Sequence, residues 1–140
     1  MRLELTKRAD YGIRAVVALA RAEPGELLSV RAMAERHRVP ARFLTQVMAD
    51  LVAAGIAEGK TGRTGGYRLA TAAEGKSLLD VIEAIEGDSR RRTCVLRGGP
   101  CRLDGVCDVH AVFAAAQDEM LRELGGATIA SLRSTDGPEG

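Results

Sequence analysis

The sequence predicts a mainly α-helical fold with one small β-hairpin and a long C-terminal helix, on three observations. Ala and Leu dominate a composition that is 46% hydrophobic but only 3% aromatic, a balance that favours helix. Apolar residues recur at helical spacing in several separate stretches, whereas strand chemistry is confined to one Gly-rich segment over residues 56–70. The last long periodic stretch, 106–124, comes after a cysteine-bearing loop and has little of its own chain left to pack on.

The first helix is expected over Thr6 to Arg21, with Thr6 as its cap and Ala9, Ile13, Val16, Val17 and Ala20 as its apolar stripe. Glu23-Pro24-Gly25 ends it. Ser29 starts a short helix that stops near His37, burying Val30, Met33 and Ala34. Val39-Pro40 makes a tight turn, with Pro40 suited to the first position of the next helix. That helix, Ala41 to Ala54, is expected to bury Leu44, Val47, Met48, Leu51 and Val52 and to expose Arg42, Thr45, Gln46 and Ala49. Gly55 closes it.

Short helix, turn, longer helix is the helix-turn-helix pattern, in which the start of the second helix enters the DNA major groove. Gln46 has the donor and acceptor that adenine requires, and Arg42 can reach guanine or phosphate. A solvated helical hairpin has the same pattern, so the pair alone is weak evidence. The next residues add to it. Two short strands flank the loop Lys60-Thr61-Gly62-Arg63-Thr64-Gly65-Gly66, and a hairpin placed there is the wing of a winged helix-turn-helix. Its glycines let backbone approach phosphate, while Lys60, Arg63 and Arg68 supply charge. The loop matches neither nucleotide-binding glycine pattern, and no helix opens after it.

Net charge is only +1, but residues 1–72 carry 12 Lys/Arg against 7 Asp/Glu and residues 73–140 carry 8 against 12. A basic half joined to an acidic half points the first towards a polyanion. Ser77 caps a helix over Leu78 to Glu86, and Gly87 stops it. The stripe Val109, Val112, Phe113, Ala116, Met120, Leu121 and Leu124 marks a long helix suited to pairing with a second copy, and a dimer suits two DNA half-sites. Gly125-Gly126 ends that helix, and Thr128 caps a short one around Ile129 to Leu132. The organisation expected is a DNA-binding winged region (1–72), a connecting helix and cysteine-rich loop (73–105), a dimerisation helix with a short terminal helix (106–133) and a disordered tail (134–140).

All three cysteines fall in one segment, Cys94-x6-Cys101-x5-Cys107, followed by His110. Gly98, Gly99, Pro100 and Gly105 leave this loop too poor in apolar residues to order itself by burial. A disulfide would strand the third thiol, and buried structural thiols rarely sit beside Gly-Gly-Pro. Clustered thiols with an imidazole suit a metal centre, zinc or iron–sulfur alike. No signal-peptide pattern opens the chain and no apolar run can span a bilayer, so a cytoplasmic protein with reduced thiols is expected. No CxxC pair or nucleophile–base arrangement suggests an enzyme.

The stretches MRLELTKRADYGIRAVVALA, SVRAMAERHRVPARFLTQVMADLVAAGI, GRTGGYRLA and SLLDVIEAIEG, the cysteine loop and the closing TIASL together resemble the bacterial IscR/NsrR/RirA group of iron–sulfur transcription regulators. The resemblance covers nearly the whole chain. It implies a homodimeric winged-helix regulator on promoter DNA, carrying a 2Fe–2S or 4Fe–4S cluster on Cys94, Cys101 and Cys107. The implied fourth ligand is His110, as in IscR-like members, or Asp10 from a second copy, as in NsrR-like members. The implied DNA contacts are Arg42, Thr45, Gln46, Lys60, Thr61, Arg63, Thr64, Gly65 and Gly66. The chain departs from the group in a first cysteine gap one residue longer than is common, and in Thr61, where the wing usually carries Arg. A cluster-free winged-helix regulator controlled by thiol oxidation or zinc is the competing expectation.

Overall fold

The computed structural model describes residues 5–87 and 108–133. Five α-helices and one antiparallel hairpin follow in the order α1 (Lys7–Arg21), α2 (Val30–His37), α3 (Ala41–Ala53), β1 (Ala57–Lys60), β2 (Gly66–Leu69), α4 (Leu78–Glu86) and α5 (His110–Gly126). Two 3-10 turns, Thr71–Gly75 and Ala130–Arg133, complete it.

The caps are the ones the sequence signals. Thr6 Oγ1 accepts from the Ala9 N–H at 3.2 Å, and Ser29 Oγ from the Ala32 N–H at 3.1 Å. Ser77 and Asp80 form a full capping box: the Ser77 hydroxyl accepts from the Asp80 N–H at 3.1 Å, and the Asp80 carboxylate from the Ser77 N–H at 2.8 Å. One core gathers these elements. Val16 and Leu19 of α1, Met33 of α2, Leu44, Val47, Met48 and Leu51 of α3, Ile56 before the hairpin, Val81 of α4 and Ile129 are all buried in it. Helix α1 is its centre, packing on α2, α3 and α4. A Cβ at Gly12 would collide with the Cδ1 tip of Ile85 of α4, so this glycine leaves the space that the Ile85 side chain fills between the two helices.

Several expectations shift. Val52 is 40% exposed, because it continues the outward row of Thr45 and Ala49 and not the buried row of Leu44, Val47 and Leu51. Pro40 is the N-cap residue of α3, its carbonyl accepting from the Leu44 N–H at 3.3 Å, and the first helical residue is Ala41. Leu28 forms a one-residue third strand on the hairpin: its N–H donates to the Tyr67 carbonyl at 2.9 Å and its carbonyl accepts from the Tyr67 N–H at 2.8 Å. An isolated Leu-Leu between a turn and a helix cap carries no strand signal, which is why the sequence does not reveal it.

Among the described residues helix α5 begins at His110. Asp108 and Val109 lie in a turn, and the Val109 carbonyl accepts the first helical bond, from the Phe113 N–H at 3.1 Å. Val106 and the tail 134–140 lie outside the described residues. Gly125 and Gly126 are the last two residues of the helix, and Ala127 is its C-cap in an extended conformation. The chain then returns to the core: the Leu78 N–H donates to the Ala127 carbonyl at 2.9 Å, and the Ile129 N–H to the Lys76 carbonyl at 2.8 Å. No residue of α5 is buried within one copy, and Val112 is 69% exposed.

Candidate nucleic-acid interface

The turn between α2 and α3 is three residues, Arg38 to Pro40, with Arg38 in the left-handed conformation (φ 53°, ψ 40°). It tucks Val39 into the core and directs α3 so that one face is buried and the other open. The open face holds Arg42, Thr45, Gln46 and Ala49, all exposed, as their helical spacing predicts.

The side chains on this face are not loose. The Arg42 guanidinium lies over the Phe43 ring, 4.8 Å from its centroid. Phe43 in turn meets Tyr11 of α1, with centroids 5.4 Å apart and planes tilted by 41°. Gln46 Nε2 donates to Asp50 Oδ1 at 3.3 Å, and Arg8 Nη2 of α1 donates to Asp50 Oδ2 at 2.5 Å. The Thr45 hydroxyl turns back towards its own helix, 3.5 Å from the Ala41 carbonyl. Sequence reasoning missed Phe43, Asp50, Arg8 and Tyr11. The four-residue spacing of Gln46 and Asp50 was the available signal for one of these ties; the partners from α1 had none.

The hairpin pairs Ala57 with Leu69, Glu58 with Arg68, Gly59 with Tyr67 and Lys60 with Gly66. Lys60, Thr61, Arg63 and Thr64 are exposed at its tip. Arg68 is held by its cross-strand neighbour, Nε donating to Glu58 Oε2 at 3.2 Å, so much of its charge is compensated locally. The two glycines serve the hairpin itself. A Cβ on Gly65 would collide with the carbonyl oxygens of Lys60 and Gly62, and Gly66 is buried against the backbone of Leu28.

His37 closes α2, half-buried. Its pKa lies below the ordinary 6.5 because burial disfavours the charged ring, with Arg36, Arg21 and Arg14 adding repulsion.

Cys94, Cys101 and Cys107 lie outside the described residues. His110 is the first residue of α5, half-buried. Asp10 is in the first turn of α1, accepting from Arg14 Nε at 3.1 Å. Among the described residues no three His, Cys, Asp or Glu side chains come together as a metal site, and no helix is long and apolar enough to cross a membrane.

A family model described as "Rrf2: Iron-dependent Transcriptional regulator" matches residues 5–135. The chain belongs to the Rrf2 family. Its Rrf2 relatives include the HTH-type transcriptional regulator NsrR of Shouchella clausii, 35% identical over 121 residues that span 81% of this chain and 79% of that one. The protein rrf2 of Nitratidesulfovibrio vulgaris is 28% identical over 130 residues, 93% of this chain and 87% of that one. Among solved structures, CymR of Bacillus subtilis superposes with a TM-score of 0.76 at 20% identity, over 95% of this chain and 98% of that one. T. potens IscR gives 0.71 at 24%, over 93% and 85%. These likenesses establish the winged-helix Rrf2 fold, and the Rrf2 family is one of transcriptional regulators and not of enzymes.

Proposed function

We propose that this Rrf2 protein is a cytoplasmic homodimer that binds promoter DNA through α3 and the hairpin. In this reading Arg42, Thr45 and Gln46 face the major groove, while Lys60, Thr61, Arg63 and Thr64 meet the backbone and the adjacent minor groove. The backbone of Gly65 and Gly66 keeps the hairpin tip slim. The observation that carries the reading is the division of α3: Leu44, Val47, Met48 and Leu51 are buried, while Arg42, Thr45 and Gln46 stand open on the other side. A basic hairpin follows directly. Helix α5, apolar yet without a buried residue, supports pairing with a second copy.

The same reading assigns Cys94, Cys101 and Cys107 to an iron–sulfur cluster, 2Fe–2S or 4Fe–4S, with His110 as fourth ligand and Asp10 of a second copy as its alternate. The donor set supports it: three thiolates and an imidazole suit iron–sulfur ligation, and the family description names iron. His110 also sits at the N-terminus of α5, where the helix field favours the negative charge of thiolate ligands. A bound cluster would supply a centre sensitive to oxidants, nitric oxide or iron supply. The chain's part is mechanical: the cysteine segment joins α4 to α5, so ordering it bears on how two winged units sit across the dimer. A bias of a few kcal/mol between two such arrangements is enough to switch DNA occupancy.

The test is purification without oxygen, followed by iron, sulfide and zinc analysis and DNA titration of wild type and Cys101→Ala. Iron with sulfide, and a DNA affinity that differs between loaded, stripped and C101A protein, is the expected result. Colourless zinc or metal-free protein would favour control by zinc or by thiol oxidation, and equal affinity in every form would end the switch.

A further inference from the structure

We infer that Asp50, held by Arg8, is a specificity-determining positioning residue that restricts Gln46 to adenine and denies it guanine. The inference rests on the proposal that α3 reads bases.

Asp50 stands one helical turn after Gln46, and its two carboxylate oxygens are divided. Oδ1 accepts from Gln46 Nε2 at 3.3 Å, and Oδ2 accepts from Arg8 Nη2 at 2.5 Å. The Asp50 side chain is only 24% exposed, and Arg8 is 46% exposed. Arg8 has a firm base. It lies in the first turn of α1, which Thr6 caps, and the Thr6 N–H itself donates to Glu86 Oε1 of α4 at 2.9 Å. The tie therefore runs from the helical core through α1 to the amide of Gln46.

The consequence follows from counting donors. A glutamine amide has two N–H donors and one carbonyl acceptor. Adenine offers an acceptor at N7 and a donor at N6, so it takes one amide N–H and the carbonyl oxygen. Guanine offers two acceptors, N7 and O6, so it takes both N–H groups. With one N–H engaged by Asp50, the remaining N–H and the Oε1 atom match adenine, and guanine is left with an acceptor unmet. The tie also holds the amide against flipping, which would present oxygen where nitrogen is needed.

A carboxylate on a DNA-facing helix otherwise works against binding, since it repels phosphate. Arg8 offsets that charge. Loss of Asp50 should thus raise affinity for arbitrary DNA while lowering discrimination, a pair of effects that simple structural damage would not produce.

The experiment uses the full-length protein and a random-sequence duplex library. Wild type is selected on the library to give a consensus, and Gln46→Ala is then measured on single-base-pair variants of that consensus. The base pair at which Q46A stops discriminating is the one Gln46 reads. At that pair, Asp50→Ala should bind the guanine variant within about threefold of the adenine one, where wild type separates them by about tenfold or more. Arg8→Ala should fall between the two. Asp50→Asn keeps an acceptor for Gln46, and should retain more of the preference than D50A. The slope of log affinity against log salt should not become shallower in D50A, and the double variant Q46A/D50A should discriminate no worse than Q46A.

A D50A protein that keeps the full adenine preference where Q46A has lost it overturns the inference and leaves base reading by α3 intact. A D50A protein that weakens equally on every duplex overturns it as well. If Q46A changes no preference at any position, base reading by Gln46 itself fails and takes this inference with it.

Discussion

Gly66 lies against the backbone of Leu28: a Cβ on Gly66 would stand 2.7 Å from both the carbonyl carbon and the carbonyl oxygen of Leu28, and 3.0 Å from the Ser29 nitrogen. The φ of Gly66 is +157°, a conformation that side chains with a Cβ rarely adopt. The one-residue third strand and the hairpin therefore meet because this position has no side chain. Gly66→Ala should cost about 2–3 kcal/mol of folding stability, from backbone strain and forced separation together. Urea unfolding measures it. Amide exchange should quicken at Leu28 and Tyr67, whose reciprocal hydrogen bonds would be the first lost. An unchanged midpoint would mean that the wing can shift away from Leu28 freely.

Arg38 is the one non-glycine residue with positive φ among the described residues. It terminates α2 and begins the turn into α3, a position where Gly is the usual choice because a Cβ in the left-handed region costs about 1 kcal/mol. Arg38→Gly should raise stability by about 0.5–1 kcal/mol, the relief being partly offset by the greater freedom of glycine in the unfolded chain. Thermal unfolding at matched salt reads the change. A destabilised R38G would mean that the Arg38 side chain makes contacts worth more than the backbone relief.

His37 has a pKa below 6.5 in the folded chain, chiefly through burial and then through Arg36, Arg21 and Arg14. The unfolded chain binds the proton more readily, so protonation favours unfolding. Above the ordinary histidine value neither state is charged and the group contributes nothing. As pH falls through that value towards the lowered one, stability is lost. Wild type should therefore lose stability relative to His37→Asn as pH falls from about 7.5 through the ordinary histidine value near 6.5 and below it. Chemical unfolding of both proteins across that range provides the difference, and a difference independent of pH would show that His37 titrates normally.

The helical skeleton was legible because each helix carries its own signals. Thr6, Ser29 and Ser77 cap where expected, the apolar rows face the core, and the Gly-rich hairpin falls between α3 and α4. What sequence could not supply were relations between distant residues. Arg8 reaches Asp50 across forty-two positions, and Leu28 joins Tyr67 without any local pattern to mark it. Gly65 and Gly66 are also required by the hairpin itself, because a Cβ on either would collide with backbone, a constraint that the sequence alone does not show. Val52 misled because an apolar residue beside Leu51 reads as core until the helical phase of its neighbours is fixed.

The hairpin tip offers a direct test of phosphate contact. Lys60 and Arg63 are exposed and make no ion pair among the described residues, unlike Arg68, which Glu58 holds. Each cation that meets a phosphate releases a condensed counterion and adds about 0.9 to the salt slope per copy. Lys60→Ala and Arg63→Ala should each make the slope shallower by about that amount per subunit, with losses similar on all sequences unless Arg63 also enters the minor groove. Arg68→Ala should move the slope much less. Fluorescence anisotropy over a series of salt concentrations distinguishes these outcomes, and three equal slopes would remove the hairpin from the interface.

Helix α5 poses the question of what covers it. Seventeen residues long, it buries none of them within one copy, and Val112 in its first turn is 69% exposed. Its contact with α4 leaves every α5 side chain at least partly exposed, and a helix draws most of its stability from packing on an apolar surface and little from propensity alone. In the proposed homodimer a second copy would supply that surface symmetrically, bringing the same face of each helix to the other. Val112→Glu tests this with little local damage, because glutamate is a good helix former and a negative charge in the first turn of a helix is favourable. Within a pair, the substitution would desolvate a carboxylate in each subunit and should weaken association at least about tenfold, near 1.4 kcal/mol. Sedimentation over a concentration series should show wild type as a dimer and V112E shifted towards monomer, with helix content by circular dichroism retained. A V112E protein that remains fully dimeric would place the pairing surface elsewhere than on this face of α5.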